Sequence, residues 1–213
     1  MQKLLPRIRT KHPLHKGWFR TRLGDHVVVS PRRPARPKDG MASFLPMEAV
    51  SETGKVIRQL ERKYEDVCSG YSSVADGDVI VAKITPCFEN GKGALLAGLT
   101  NGIGFGSTEF HVLRPIPGIE SRLLAYVTNS HEFRRRGESE MEGSAGQKRV
   151  SADFIREFRF ACPSSPSAQR EIADMLDLAD RLSEAYKSKV QTMRKERLRS
   201  SNIYSRAMSY SHC

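Results

Sequence analysis

PSAQREIADMLDLADRLSEAYKSKVQTMRKERLR, residues 166–199, is the stretch whose reading decides the fold. Apolar or large residues recur at Ile172, Met175, Ala179, Leu182, Tyr186 and Met193, in steps of three, four, three, four and seven. That is a heptad seam, with a positions at 172, 179, 186 and 193 and d positions at 175 and 182. The next d position is Lys189, so the seam weakens toward its C-terminal end. Ser165 is placed to cap the helix, with Pro166 at its first position. No glycine or proline interrupts residues 167–199. At about 1.5 Å per residue such a helix reaches roughly 50 Å. One side of a small domain cannot bury that length, so part of the helix projects or pairs.

The charges of the same stretch divide by half. Glu171, Asp174, Asp177, Asp180 and Glu184 dominate the first half, and Lys187, Lys189, Arg194, Lys195, Arg197 and Arg199 the second. One reading is the helix dipole, which favours acids at the N-terminus and bases at the C-terminus. The other is antiparallel pairing, in which the acidic half of one helix meets the basic half of another. A parallel in-register pair would set like charges together.

A chain of 213 residues, 38% of them hydrophobic, allows one sizeable domain with an appendage or two small domains. No apolar run approaches the ~20 residues of a membrane span, and the N-terminus lacks the continuous apolar core of a secretory signal. Cys68, Cys87, Cys162 and Cys213 are scattered, without a CxxC pair or histidines at zinc spacing. They read as reduced thiols in a cytoplasmic protein, the first three packed as small apolar groups, with no metal site.

The net charge of +11 is concentrated at one end. Residues 1–40 hold eleven Lys or Arg against Asp25 and Asp39, whereas residues 41–164 are nearly balanced at fifteen bases and sixteen acids. A local positive field points to a polyanion, most often nucleic acid. The alternative is a disordered basic arm that only aids solubility.

Along the chain, residues 1–16 read as an irregular arm, and Trp18 and Phe19 begin the fold. A strand follows near 26–30, then PRRPARPKDG at 31–40, whose prolines forbid helix. That loop exposes Arg32, Arg33, Arg36 and Lys38 and is a candidate for phosphate contact. Short strands at 44–47 and 56–57 flank a turn at 52–54, and 63–70 is a short helix or turn. DVIVAKI, GALLAGL and EFHVLRP read as three strands, with turn chemistry in ENGKG. Residues 122–136 form one or two helices with Leu123, Leu124, Val127 and Phe133 inward. A glycine-bounded loop, EGSAGQKR, precedes a short helix capped by Ser151 that buries Phe154 and Ile155. REFRFACP is the last strand, and the polar tail after 200 frays.

Catalytic signatures are weak. The glycine-rich GIGFG at 102–106 precedes a strand and opens no helix, so it reads as a structural turn rather than a phosphate loop. Asp78 with Lys83, or Glu89 with Lys92, lacks the converging carboxylates of a metal nuclease. His111 lies in an apolar strand, as a satisfied core histidine does, and Ser144 has no histidine near it in sequence. Binding chemistry is better represented. Lys83, Thr85, Asn90 and Lys92 surround one tight turn, and Ser144, Gln147, Lys148 and Arg149 crowd another loop. Gln pairs with adenine and Arg or Lys with guanine, while Ser, Thr and Lys serve phosphates. Polar residues also populate loops for no such reason.

KITPCFENGKGA, GFGSTEFHVLRP, GSAGQKRV and CPSSPSAQREIADMLDLAD, in that order, resemble the specificity subunit of type I restriction–modification enzymes. SFLPMEAVSETGKVI resembles the early part of the same target-recognition domain. The family's spacer usually opens Pro-Pro-x-Pro-x-x-Gln-Arg; here CPSSPSAQR keeps Pro163, Pro166, Gln169 and Arg170. The resemblance runs from about residue 18 to about residue 197 and covers one recognition domain and one spacer, where the family usually carries two of each.

The resemblance implies an α+β fold: a mixed, β-rich target-recognition domain followed by a long coiled-coil-type spacer helix. The expected divisions are a basic arm at 1–17, the recognition domain at 18–163, the spacer at 164–200 and a flexible tail at 201–213. It also implies a non-catalytic reader of double-stranded DNA. In the family each recognition domain reads half of a bipartite target. Paired antiparallel spacers set the distance between the halves and dock methyltransferase subunits and, through them, the restriction subunit. S-adenosylmethionine, ATP and Mg²⁺ would then belong to those partners, and this chain would hold no cofactor. A single domain implies a half-subunit that forms a homodimer or one part of a split subunit that meets a second half-subunit, either one pairing through the seam residues, or else a truncated product. The rival reading is a stand-alone DNA-binding or restriction-modulating protein that captures the methyltransferase through its helix.

Overall fold

The computed structural model describes residues 14–144 and 146–210, with side-chain surroundings given as far as Arg197. Most of the basic arm, residues 1–13, and Cys213 therefore lie outside the described residues. In chain order the elements are β1 (Trp18–Arg22), β2 (Val27–Val29), β3 (Met41–Leu45), β4 (Leu60–Lys63), α1 (Tyr64–Val67), β5 (Ser72–Ala75), β6 (Val79–Ala82) and β7 (Gly93–Leu95). There follow β8 (Ile103–Gly106), β9 (Phe110–Pro115), α2 (Ser121–Asn129), α3 (His131–Ser139), α4 (Ala152–Glu157), β10 (Arg159–Pro163) and α5 (Pro166–Tyr210).

The body is built around a four-stranded antiparallel sheet in the order β2-β9-β6-β7. All four residues of β6, Val79–Ala82, are buried, because this strand is covered on both faces. The period of two divides them. Val79 and Val81 join a core with α2, α3, α4 and β10, while Ile80 and Ala82 join a second core with Leu45, Val50 and Val74. Those last residues come from or adjoin a second four-stranded sheet, β4-β3-β8-β5, whose far face packs Phe105 against Tyr64 and Val67 of α1. β1 and β10 form a separate two-stranded pair.

The three expected strands at DVIVAKI, GALLAGL and EFHVLRP are β6, β7 and β9, adjacent in one sheet. Ser151 Oγ caps α4 by accepting from the Phe154 amide at 3.0 Å, and Phe154 and Ile155 are buried. The glycine-rich run departs from its expected role as a turn. After a short 3-10 turn at Thr100–Gly102, Ile103–Gly106 is strand β8, parallel to β3 and antiparallel to β5. Its glycines allow close contact rather than a bend. A Cβ on Gly104 would stand 2.7 Å from the Ser43 carbonyl oxygen, and one on Gly106 would stand 3.1 Å from that of Leu45. With so few side chains, the alternation that marks a strand was hidden.

The long helix is present and begins at Pro166, with Ser165 Oγ accepting from the Ala168 amide at 3.4 Å. It continues to Tyr210, so residues 201–210, expected as a tail, are helical. No glycine or proline after Pro166 supplies a stop. The chain divides into two compact units, one ending at Ala173 and the other beginning at Asp174. The division falls inside α5 because its first turns are rooted in the body. Gln169 is 3% exposed, accepts from the Glu120 amide at 2.9 Å, and donates to the carbonyls of Gly118 at 3.2 Å and Pro163 at 3.1 Å. Ala173 is fully buried and Ile172 packs against the core.

Candidate nucleic-acid interface

Strand directions decide which loops meet. β2 and β6 both run antiparallel to β9. The segments leaving β2 and β6 therefore start at the end of the sheet where β9 begins. One is the 31–40 loop, another is 83–92, and residues 107–109 enter β9 beside them.

The 142–149 loop is fastened to this end by backbone. Its own limbs pair, with the Glu142 amide donating to the Arg149 carbonyl at 3.0 Å and the Arg149 amide to the Glu142 carbonyl at 2.8 Å. The Thr85 amide donates to the Lys148 carbonyl at 3.0 Å, the Val150 amide to the Lys83 carbonyl at 2.9 Å, and the Lys83 amide to the Glu109 carbonyl at 2.8 Å. Gly143, at φ +127°, is required at the turn, since a Cβ there would stand 2.8 Å from the Gln147 carbonyl oxygen. Two loops that look separate in sequence thus form one surface carrying Lys83, Thr85, Gln147, Lys148 and Arg149. Ser144, Gln147 and Lys148 are exposed.

Glu109, which the sequence reading passed over, sits in this cationic surface. Arg149 holds it with Nε at 3.0 Å and Nη2 at 2.8 Å. The hydrogen bonds from Arg149 keep the Glu109 carboxyl below the usual carboxylate range and raise the Arg149 guanidinium. Two residues on, in β9, His111 is buried, with Nε2 2.9 Å from the Val150 carbonyl oxygen. Burial lowers its imidazole below the ordinary histidine value. It is a satisfied core histidine.

Three polar side chains of the 83–92 loop are bonded within the protein. Thr85 Oγ1 donates to Glu89 Oε1 at 3.0 Å, Asn90 Nδ2 to Glu52 Oε1 at 2.9 Å, and Lys92 Nζ to the Met47 carbonyl at 3.2 Å. Beneath it lies Arg134, 5% exposed, from α3. Its guanidinium donates to the carbonyls of Phe88 at 3.0 Å and Gly91 at 3.3 Å and stands 4.9 Å from the centre of the Phe88 ring. Burial pushes it down to about 9, so it remains charged near neutrality. The inward residues expected of this helical stretch were Leu123, Leu124, Val127 and Phe133, and Arg134 was not among them. A signal was present: Gly137 one turn on has no room for a Cβ, which would stand 2.3 Å from the Phe88 ring. Glycine inside a helix costs roughly 0.5–1 kcal/mol, so its presence marks a close contact on that face.

The 31–40 loop is anchored through backbone. The Pro31 carbonyl accepts from Ser73 Oγ at 3.0 Å and the Pro34 carbonyl from Tyr64 Oη at 2.8 Å. Arg36 is ion-paired with Glu65. Arg32, Arg33 and Lys38 are exposed and have no hydrogen bond or ion pair among the described residues. A cleft of about 250 Å³ opens beside Arg33, bounded by Ser30, Tyr71 and Ser73.

The carboxylate pairs weighed as nuclease groups are occupied otherwise. Asp78, 1% exposed, takes a bidentate fork from Arg114 at 2.8 Å on each oxygen, at the opposite end of β6 from Lys83. Among the described residues no group of three or more His, Cys, Asp or Glu converges as a metal site would require. No described helix is long and apolar enough to cross a membrane. Of the helix-pairing residues, Ile172 is half-buried and packs against the body's core, Ala179 is half-buried, and Met175, Leu182, Tyr186 and Met193 are exposed by 58–71%.

No protein-family model matches the chain. It is 38% identical over 189 residues to the specificity subunit of the type I restriction enzyme EcoAI of Escherichia coli, covering 85% of this chain and 32% of that one. Over 174 residues it is 34% identical to the EcoEI specificity subunit of the same organism, covering 79% and 29%. Among solved structures, the HsdS subunit of Thermoanaerobacter tengcongensis aligns with a TM-score of 0.68 at 22% identity, over 88% of this chain and 48% of that one. A chain from a type I restriction–modification assembly aligns equally well, at 0.68 and 21% identity, over 86% and 47%. The chain spans about a third of the length of the curated relatives and about half of the solved ones. In sequence it is a relative of the specificity subunits of type I restriction enzymes, matched over one part of their length, and in fold it is like HsdS.

Proposed function

We propose that the chain is the DNA-reading part of a type I restriction–modification system. Its body reads one half of a bipartite target on double-stranded DNA. Its helix pairs antiparallel with a second helix, from another copy or a second half-subunit, and docks methyltransferase subunits and through them the restriction subunit. It carries no catalytic group and no cofactor of its own; S-adenosylmethionine, ATP and Mg²⁺ act in the partner subunits of a cytoplasmic complex.

The observation that carries the reading is the end of the central sheet. There Lys83, Gln147, Lys148 and Arg149 stand on loops locked together by backbone hydrogen bonds, next to the start of a basic loop whose Arg32 and Arg33 have no partner among the described residues. A backbone that fixes where the reading side chains start is what base readout needs, and exposed cations are what phosphate attraction needs. The exposed seam beyond Ala173 supports a helix partner, because Met175, Leu182 and Tyr186 lie on one stripe.

The test is reconstitution with the methyltransferase subunit of the same system and S-adenosylmethionine. The expected result is methylation at one defined sequence that requires this chain. A complex that captures the methyltransferase and modifies no DNA would contradict the reading and favour a restriction-modulating protein.

A further inference from the structure

Glu109 is out of place on a surface that attracts phosphate. Its side chain is 26% exposed, its backbone carbonyl is bonded to the Lys83 amide, and its carboxylate is tied to Arg149 on the adjoining loop. A carboxylate repels phosphate and only accepts hydrogen bonds, so the one donor that duplex DNA offers it at a readable edge is a base amino group. It also has capacity left. An ionised carboxylate has about four acceptor positions, and the bonds to Glu109 come from Nε and Nη2 of one arginine. Arg149 in turn spends one Nη1 hydrogen on the Gln147 carbonyl at 3.3 Å and keeps unshared hydrogens on both terminal nitrogens. The pair is rigidly mounted. Glu109 immediately precedes β9, its amide is 3.2 Å from Ser107 Oγ, and Arg149 is bridged to Ile84 and Glu142.

We propose that Glu109 is a specificity-determining residue for DNA, accepting a hydrogen bond from the amino group of a base in the major groove, cytosine first, with Arg149 as the positioning partner that holds and extends it. The inference rests on the DNA-reading function proposed above. Glu109 then acts in two ways. It rewards a duplex that presents the amino group, and it penalises every other duplex by setting a negative charge near phosphate.

The experiment passes a duplex pool with a randomised core over the full chain, sequences what is retained, and measures affinity for the unselected pool. Glu109→Gln keeps the shape, removes the charge and adds a donor. It is expected to bind the unselected pool roughly three- to tenfold more tightly, and to lose a preference of roughly tenfold or more for cytosine at one position, with an unchanged melting temperature. Glu109→Asp keeps the charge and shortens the reach. It is expected to lose the same preference while its affinity for the unselected pool stays within about twofold of the wild type, so the proposal remains testable should the glutamine variant fold poorly. Variants that keep every preference of the wild type overturn this inference alone. A wild-type chain that retains no duplex overturns the functional reading, and this inference with it.

Discussion

The 31–40 loop, with four bases, and the 83–92 loop, with two, are both rich in polar residues and put them to opposite uses. The first is fixed by its backbone, through the Pro31 and Pro34 carbonyls, so the side chains of Arg32, Arg33 and Lys38 remain available. The second spends its side chains. Thr85, Asn90 and Lys92 are bonded within the protein, and Arg134 fills the loop from below. A cation bonded to a buried carbonyl contributes to folding and adds little to the outward field. A cation with no partner does the reverse. What a basic residue does therefore depends on whether something else in the chain has already satisfied it.

This contrast can be broken by experiment. Arg134→Ala is expected to have the largest effect, about 3–5 kcal/mol of lost stability, because it leaves a cavity and removes the donors to the Phe88 and Gly91 carbonyls. Denaturant unfolding measures it. Replacing Arg32, Arg33 and Lys38 together by Gln is expected to weaken binding to every duplex by about a hundredfold at low salt and to lower the salt slope by up to roughly 2.7. Stability should stay within about 0.5 kcal/mol. Lys92→Met reverses that pattern, with about 1 kcal/mol of lost stability from the bond to the Met47 carbonyl, and duplex affinity within about twofold of the wild type.

The smallest expected effect concerns His111. Burial holds its folded value below the ordinary histidine value of 6.5, so the unfolded chain binds more protons just below that pH. Stability therefore rises with pH across the interval and is lost as pH falls below about 6.5. Unfolding measured across that range should show a weaker dependence in His111→Gln. An unchanged dependence would mean that this histidine is not the group concerned.

The parts of the fold legible in the sequence were those with local periodicity. Alternation was read in β6, a closing proline marked the end of β9, and the three-four spacing with a proline start marked α5. β8 was not legible, because Gly104 and Gly106 serve a contact with β3 that only the folded chain reveals. The candidate interface was legible as residue types and illegible as pairings. Asn90 meets Glu52 across 38 positions and Arg149 meets Glu109 across 40, and nothing local announces either. The boundary between body and helix was obscured for a similar reason. Gln169 reads as part of a helix signature, and its bonds to Glu120 and Gly118, across 49 and 51 positions, are long-range facts.

The central claim, that this chain reads DNA sequence, is tested most directly by selecting duplexes from a randomised pool with the full wild-type chain and sequencing those retained. The account predicts a short, defined set of enriched base pairs. Retained duplexes with no preferred sequence, or none retained at all, would contradict it.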